Sequence, residues 1–337
     1  MALSPDLRQN LVLPAICAPM FLVTGVDLVR EACKAGIIGV LPRHNLRSIE
    51  AFDAGLGEIR RDLERHRQEH PASRIGPLGI NLAKLASTEE LDAHLEVGRR
   101  HGVKIVITAS FDPTELILRA HDLGMQVFHD VVTLRHAHKA IAAGVDGLTC
   151  VGAGGGGHSG VISHLALIPK IREIFGGVIT MAGAISNGAG IRAAEILGAD
   201  LAYLGTRFIA TQEADADPAY KNLLVSETSA DLLFTGKISG VPANWMKASM
   251  RSVGLDPDNL PEPRGKGISK DHLPESVVPW KNLWSAGQGI DLIHDIPPVA
   301  ELVRRLRREY VAACAVPDMV DVARLVDEAS DLSARLA

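Results

Sequence analysis

Cysteine is nearly absent: Cys17, Cys33, Cys150 and Cys314 lie far apart in 337 residues, and none forms a CxxC pair. A disulfide framework or a thiolate metal centre needs grouped cysteines, so these are expected as reduced, mostly buried thiols of a cytoplasmic protein. Charge of one sign is also scarce. A net charge of −5 offers no basic field for nucleic acid or an anionic membrane, and neither is expected as a partner. The densest basic run, RRDLERHRQEH, is interleaved with acids at helical spacing and reads as a solvated helix face. No segment reaches the roughly 18 apolar residues of a membrane span. The opening MALSPDLRQNLVLPAICAPM places Asp6 and Arg8 before a short apolar run, where a secretory leader would carry a basic region.

What is present is a large apolar fraction, 47% hydrophobic against 22% charged residues, enough to build one large domain or two ordinary ones. Eight short β-rich runs recur: PAICAPM (14–20), IIGVL (37–41), GPLGINLA (76–83), KIVITAS (104–110), QVFHDVV (126–132), GLTCVG (147–152), GVITMAG (177–183) and LAYLGTRF (201–208). Most are continuously apolar, as parallel strands buried on both faces must be. Amphipathic stretches such as VDLVREACKAG, PTELILRAHDLG and LRHAHKAIAAG lie between them, each closing on a glycine suited to a helix end. Eight unbroken β-then-α units predict an α/β fold of the (β/α)8 barrel type over a doubly wound open sheet.

The pattern lapses after residue 211. Apolar periodicity in AYKNLLVSETSADLLF and ANWMKASMRSVG predicts a small, mainly helical second domain over 212–283, capping the mouth of a barrel built from 1–211 and 284–337. The closing IPPVAELVRRLRREYVAACAV and DMVDVARLVDEASDLSARLA read as two amphipathic helices packed back on the barrel.

A barrel presents its chemistry at the C-terminal ends of its strands. Those ends carry Ala18, Pro19 and Met20; Arg43, His44 and Asn45; Asn81; Thr108 and Ser110; His129 and Asp130; and then the run GAGGGGHSG. The seventh and eighth ends give small-residue loops at Ala182, Gly183, Ala184, Ser186, Asn187 and Gly188, and at Gly205 and Thr206. Backbone N–H groups left open by small residues suit an anion, and barrels commonly hold phosphate at these two loops, with the helix GIRAAEILG adding its dipole. The glycine run satisfies G-x-G-x-x-G, but HSGVISHLAL separates it from a helix expected near Pro169, and no acidic residue ends the next strand. A flat ring lying against Gly152 to Gly157 is the better account, with His158 at its edge as a proton carrier near neutral pH. His44 and His129 are expected as polar lining. A metal site among His44, His129, Asp130 and His158 lacks any HxH or HExxH spacing.

AICAPM, GINL, GGHSG, MAGAISNGAGIRAAEILGADLAYLGTRFIAT and WSAGQGI, in that order, resemble the nitronate monooxygenases, FMN-dependent barrels with a small extra domain. The resemblance implies His158 as catalytic base and FMN held by Ala18, Met20, Asn81, Gly157, Ala182, Gly183, Ala184, Gly205 and Thr206, with Gly152, Asp130 and Gln288 near it. It implies Trp245 and Met246 over the substrate pocket, and oxidation of an alkyl nitronate by O2 to a carbonyl compound and nitrite. A homodimer is a further expectation. The family usually carries an acidic residue before GGH and often a polar residue at the place of Val151. Some members have lysine at the place of Asp130. Similar barrels reduce a quinone or an enoyl thioester with NAD(P)H, and a third alternative is a flavin-binding barrel without turnover.

Overall fold

In a computed structural model describing residues 2–83, 85–263 and 269–315, all eight runs are strands. They are β1 Ala15–Cys17, β2 Ile38–Pro42, β3 Leu78–Asn81, β4 Ile105–Thr108, β5 Gln126–Val131, β6 Gly147–Val151, β7 Val178–Ala182 and β8 Leu201–Leu204. Each pairs in parallel with the next and β8 returns to β1, closing the barrel. The connecting helices are α2 Val26–Lys34, α3 Ile49–Glu69, α4 Thr88–Arg100, α5 Thr114–Asp122, α6 Leu134–Ala143, α7 His164–Ile174 and α8 Gly188–Leu197, preceded by α1 Pro5–Gln9. Gly36, Gly124 and Gly144 all take positive φ just past their helices, as the glycine-terminated patterns predict.

Two apolar cores follow from strand alternation. Val106, Val127, Val131, Leu148, Cys150, Ile179 and Met181 face the helices. Ile16, Ile38, Val40, Ile105, Ile107, Phe128, Val178 and Leu201 fill the lumen, and Leu7 and Leu11, on and just after α1, join them. Leu7 and Leu11 therefore plug the lumen at the N-terminal end of the barrel.

Two helix boundaries differ from the sequence reading. The helix expected near Pro169 starts at His164, with Pro169 inside it. The missing N–H is tolerated because Leu165, four residues earlier, is exposed and its carbonyl can face solvent. LAYLGTRF stops as a strand at Leu204 and turns into the short helix α9 Thr206–Ile209.

Beyond it come α10 Pro218–Ser226, an antiparallel pair β9 Leu232–Thr235 and β10 Ala243–Met246, and α11 Lys247–Ser252. Tyr220 and Leu224 of α10 join the barrel's outer core. Ile238, Ala243, Trp245, Met250, Leu255, Leu260, Leu273, Val277 and Leu283 form an apolar cluster of their own. The α12 helix, Val299–Cys314, packs on α8 and α2 as the amphipathic pattern predicts. The second closing helix, 318–337, lies outside the described residues.

Candidate active site

Strand alternation decides what the mouth can offer. On β5, Phe128 faces the lumen, so Asp130 does too, and His129 faces outward. This corrects the expected lining role of His129: its ring lies edge-on to Phe111, and burial together with His136 holds its pKa below the usual value. His44 stays at the rim against Phe21, with ring centroids 5.3 Å apart. The register sets Asp130 beside Thr149 and Thr149 beside Thr180, and Tyr203 of β8 pairs with Ala182, one lumen-facing step above Thr180. This gives a polar floor above the apolar lumen. Asp130 Oδ1 and the hydroxyls of Thr149 and Thr180 are buried without partners. Burial pushes the Asp130 carboxyl up to about 7. Asn81 completes the wall, its amide donating to Ile107 O at 3.1 Å.

The glycine run is held from three sides. Ser159 Oγ accepts from Gly155 N at 3.1 Å and donates to Gly152 O at 2.9 Å. Asn244 Nδ2 donates to Gly155 O at 2.7 Å, and Gln288 N donates to Gly154 O at 2.9 Å. Most of the glycines therefore serve the protein's own packing. A Cβ on Gly152 would lie 2.5 Å from the His164 ring, and one on Gly156 would lie 2.8 Å from Gly287 N. Against the expectation that a ring lies along the whole run, Gly157 is the one glycine of the run whose absent side chain faces open space. Gly152 makes room for His164, whose Nε2 bonds Ala182 O at 2.8 Å.

His158 follows directly. Its Nε2 lies 3.3 Å from Ser239 Oγ, whose own proton goes to Val241 O at 3.1 Å. Nε2–H is thus the donor, and Nδ1 keeps a free lone pair. Burial lowers the pKa, favouring the neutral imidazole that can accept a proton. The Trp280 ring stands edge-on at 5.2 Å. Trp280 holds φ +62, an uncommon conformation for a bulky residue, fixed by its N–H to Leu283 O at 2.8 Å and its Nε1 to Ser285 Oγ at 3.1 Å. Leu22, Ser110 and Ala184 share positive φ, and each lies in a loop that follows the C-terminal end of a barrel strand. The strain clusters where a ligand would bind.

Opposite the glycine run, no acceptor among the described residues takes the N–H groups of Gly183, Ala184, Gly205 or Thr206. Thr206 Oγ1 accepts from Gly287 N at 2.9 Å, leaving its own proton to donate. Met20 Sδ and Ala18 Cβ approach Gly205, and Asn45 fixes the β1 loop by donating to Met20 O at 2.9 Å. Gln288 and Ala184 meet across Gly154. The expected dipole of α8 needs correction. Glu309 accepts from Gly188 N at 2.8 Å and Asn187 caps Gly190 N at 2.8 Å, so that helix end is already satisfied against α12. The open donors belong to the β7 and β8 loops and the first turn of α9.

Trp245 and Met246, expected over the substrate pocket, have no solvent-exposed surface. Both are fully buried, Trp245 in the small unit's cluster and Met246 in the barrel's outer core. Trp280, 5.0 Å from Trp245, is the partly accessible aromatic that meets His158. Sequence reasoning missed Trp280, Ser239, Ser159 and Asn244, and only the serine inside GGHSG carried a signal. No group of three or more metal-ligating side chains occurs among the described residues.

Two sets of unpaired polar groups thus face one mouth: backbone donors sized for a phosphate, and a floor of hydroxyls and a carboxyl. A proton-accepting imidazole stands beside them. A ring-bearing phosphate ester satisfies this pattern.

The nitronate monooxygenase family profile matches residues 60–309. The chain is 32% identical over 212 residues to a nitronate monooxygenase of Paraburkholderia phytofirmans, covering 58% of this chain and 57% of that protein. It is 28% identical over 341 residues to the Neurospora crassa nitronate monooxygenase, covering 87% and 88%. A Mycobacterium tuberculosis (3aS,4S,5R,7aS)-5-hydroxy-7a-methyl-1-oxo-octahydro-1H-indene-4-carboxyl-CoA dehydrogenase is 24% identical over 240 residues, covering 70% of this chain and 64% of that protein. The fold is shared with FabK from Thermotoga maritima (TM-score 0.71, 22% identity, 93% of this chain and 97% of that one) and with a nitroalkane oxidase from Streptomyces ansochromogenes (0.69, 24%, 91% and 98%). A profile matched over 250 of 337 residues settles the relationship: the chain belongs to the nitronate monooxygenase family, a family of flavin-dependent oxidoreductases.

Proposed function

We propose that the protein binds FMN and oxidises alkyl nitronates with O2, giving a carbonyl compound and nitrite. The observation that carries this reading is the neutral His158, its Nδ1 free, presented beside open backbone donors and a single aromatic wall. Gly183, Ala184, Gly205 and Thr206 would hold the phosphate, and Ala18, Met20, Asn81, Gly157 and Gln288 would border the ring. Bound FMN supplies the one-electron and O2 chemistry. The chain's own task on a neutral nitroalkane is to remove the α-proton at His158 Nδ1, leaving the nitronate and an imidazolium. Ser239 keeps the ring in that tautomer, and Trp280 limits access of water. Substrate wall and flavin site belong to different parts of the chain, which supports treating 212–283 as a substrate-facing unit and the remainder as the FMN-binding barrel.

The test is product analysis. Purified protein should release FMN on denaturation, with no FAD, and should consume O2 and form nitrite from a pre-formed nitronate. FAD, or no flavin, defeats the cofactor assignment. O2 uptake without nitrite defeats the reaction.

Gly156→Ala tests the cradle. Its added carbon meets backbone atoms of Gly287 and Ala286, which cannot swing aside. Overpacking of this kind costs about 1–3 kcal/mol of stability, so the melting temperature of the variant should fall. An unchanged melting temperature would show that the two segments move apart freely.

The carboxyl-CoA dehydrogenase among the relatives favours one second reading, a flavin-dependent oxidoreductase of a CoA thioester that exchanges electrons with a nicotinamide. The two readings differ in the electron donor.

A further inference from the structure

Asp130 has no place in the proton abstraction at His158, yet it is the one charged side chain that strand alternation turns into the lumen at this level. β6 presents Thr149 beside it and β7 Thr180 next to that; Ile107 of β4 and Asn81 of β3 lie one lumen-facing step below, level with Phe128, and Tyr203 of β8 lies one step above Thr180, level with Ala182. None of these is a cation, and among the described residues Asp130 makes no ion pair. The ionisable neighbours are Tyr203, whose hydroxyl is raised by burial and by the Asp130 charge, and the outward-facing thiols Cys150 and Cys17. Cys150 is coupled to Asp130 and to Arg172; Cys17 acts on Tyr203. On Asp130's own strand, His129 points the other way. A carboxylate without a cation or a full set of donors is disfavoured in such a place. Asp130 Oδ1 and two adjacent hydroxyls are left without partners. This is a site built to hold a proton.

We propose that Asp130 is a proton-holding residue of the redox site: it stands neutral at the floor of the flavin site, and its ionisation makes reduction of the bound flavin harder. The inference rests on the flavin reading above. A reduced flavin adds negative charge at the mouth, which opposes a carboxylate nearby. Where Asp130 is ionised before reduction, two electrons pass from the reductant to the flavin and one proton from solvent forms an O–H bond on Asp130. Where it is already neutral, no extra proton moves.

The test is a spectroelectrochemical titration of the FMN-loaded protein with dithionite as reductant, at pH values on both sides of the carboxyl's titration. Between that titration and the higher pH at which Asp130 ionises beside the reduced flavin, the wild type should lose an additional tenfold in its reduction equilibrium for each pH unit, about 30 mV for a two-electron couple. Asp130→Asn should lack this extra slope and hold the higher potential at alkaline pH. The wild type also gives a measure that needs no variant. Its reduced-minus-oxidised infrared difference spectrum above the titration should gain a protonated-carboxyl band. Identical slopes in wild type and Asp130→Asn, or no carboxyl band in the wild type, overturn the inference while the flavin reading stands. A protein that takes up no FMN overturns both.

Discussion

His158→Ala is expected to lower turnover of a neutral nitroalkane by about 10²–10⁴-fold, the usual loss for a removed general base. Turnover of the pre-formed nitronate should change little, because its proton has already gone. The geometry fixes the contrast. Ser239 engages Nε2 and leaves Nδ1 as the only basic atom of the ring. The pH dependence follows in sign. Burial lowers the His158 pKa, so the neutral base persists as pH falls through the ordinary histidine range. kcat/KM for the nitroalkane should therefore hold its plateau through that range and drop only below it. Parallel kinetics on the two substrates check this. Equal losses on both would make His158 a residue that positions the substrate.

Trp245→Ala should cost about 3–5 kcal/mol of stability, the range for truncating a fully buried aromatic. Trp245 has no exposed surface and packs among Ala243, Met250, Leu273 and Leu283. Its loss opens a cavity inside the small unit, far more than it reshapes a pocket. The melting temperature should fall while the flavin spectrum and the substrate preference of the folded protein stay unchanged. Trp280→Ala is expected to behave in the opposite way. It removes the aromatic edge 5.2 Å from His158 and should shift discrimination between small and bulky nitronates by about 1–3 kcal/mol. A changed substrate profile in the Trp245 variant, with Trp280→Ala silent, would return the pocket wall to Trp245.

The barrel was legible because parallel strands buried on both faces leave unbroken apolar runs, and each of the eight runs is a strand. His158 was legible because a glycine-rich loop ending in histidine is conformationally costly and so demands a reason. The floor was harder to read. QVFHDVV sets His129 and Asp130 side by side, and only the pleat of the closed sheet turns one outward and the other inward. The reason for Gly154 and Gly156 was hidden as well, since it lies about 130 residues away in the segment around Gly287. ANWMKASM, read as one amphipathic stretch, divides into a strand and a short helix because Ala243–Met246 pairs with Leu232–Thr235. The α8 dipole failed as a phosphate donor because Glu309, on a helix distant in sequence, occupies it. Each miss is a long-range partner overriding a local pattern.

The central claim, that this mouth takes electrons from a nitronate, is tested most directly by anaerobic titration of the purified FMN-loaded protein, first with an alkyl nitronate and then with NADH and NADPH. The account predicts that the nitronate bleaches the flavin absorbance and that neither nicotinamide does so rapidly. Rapid bleaching by NADH or NADPH, with the nitronate inert, would contradict it.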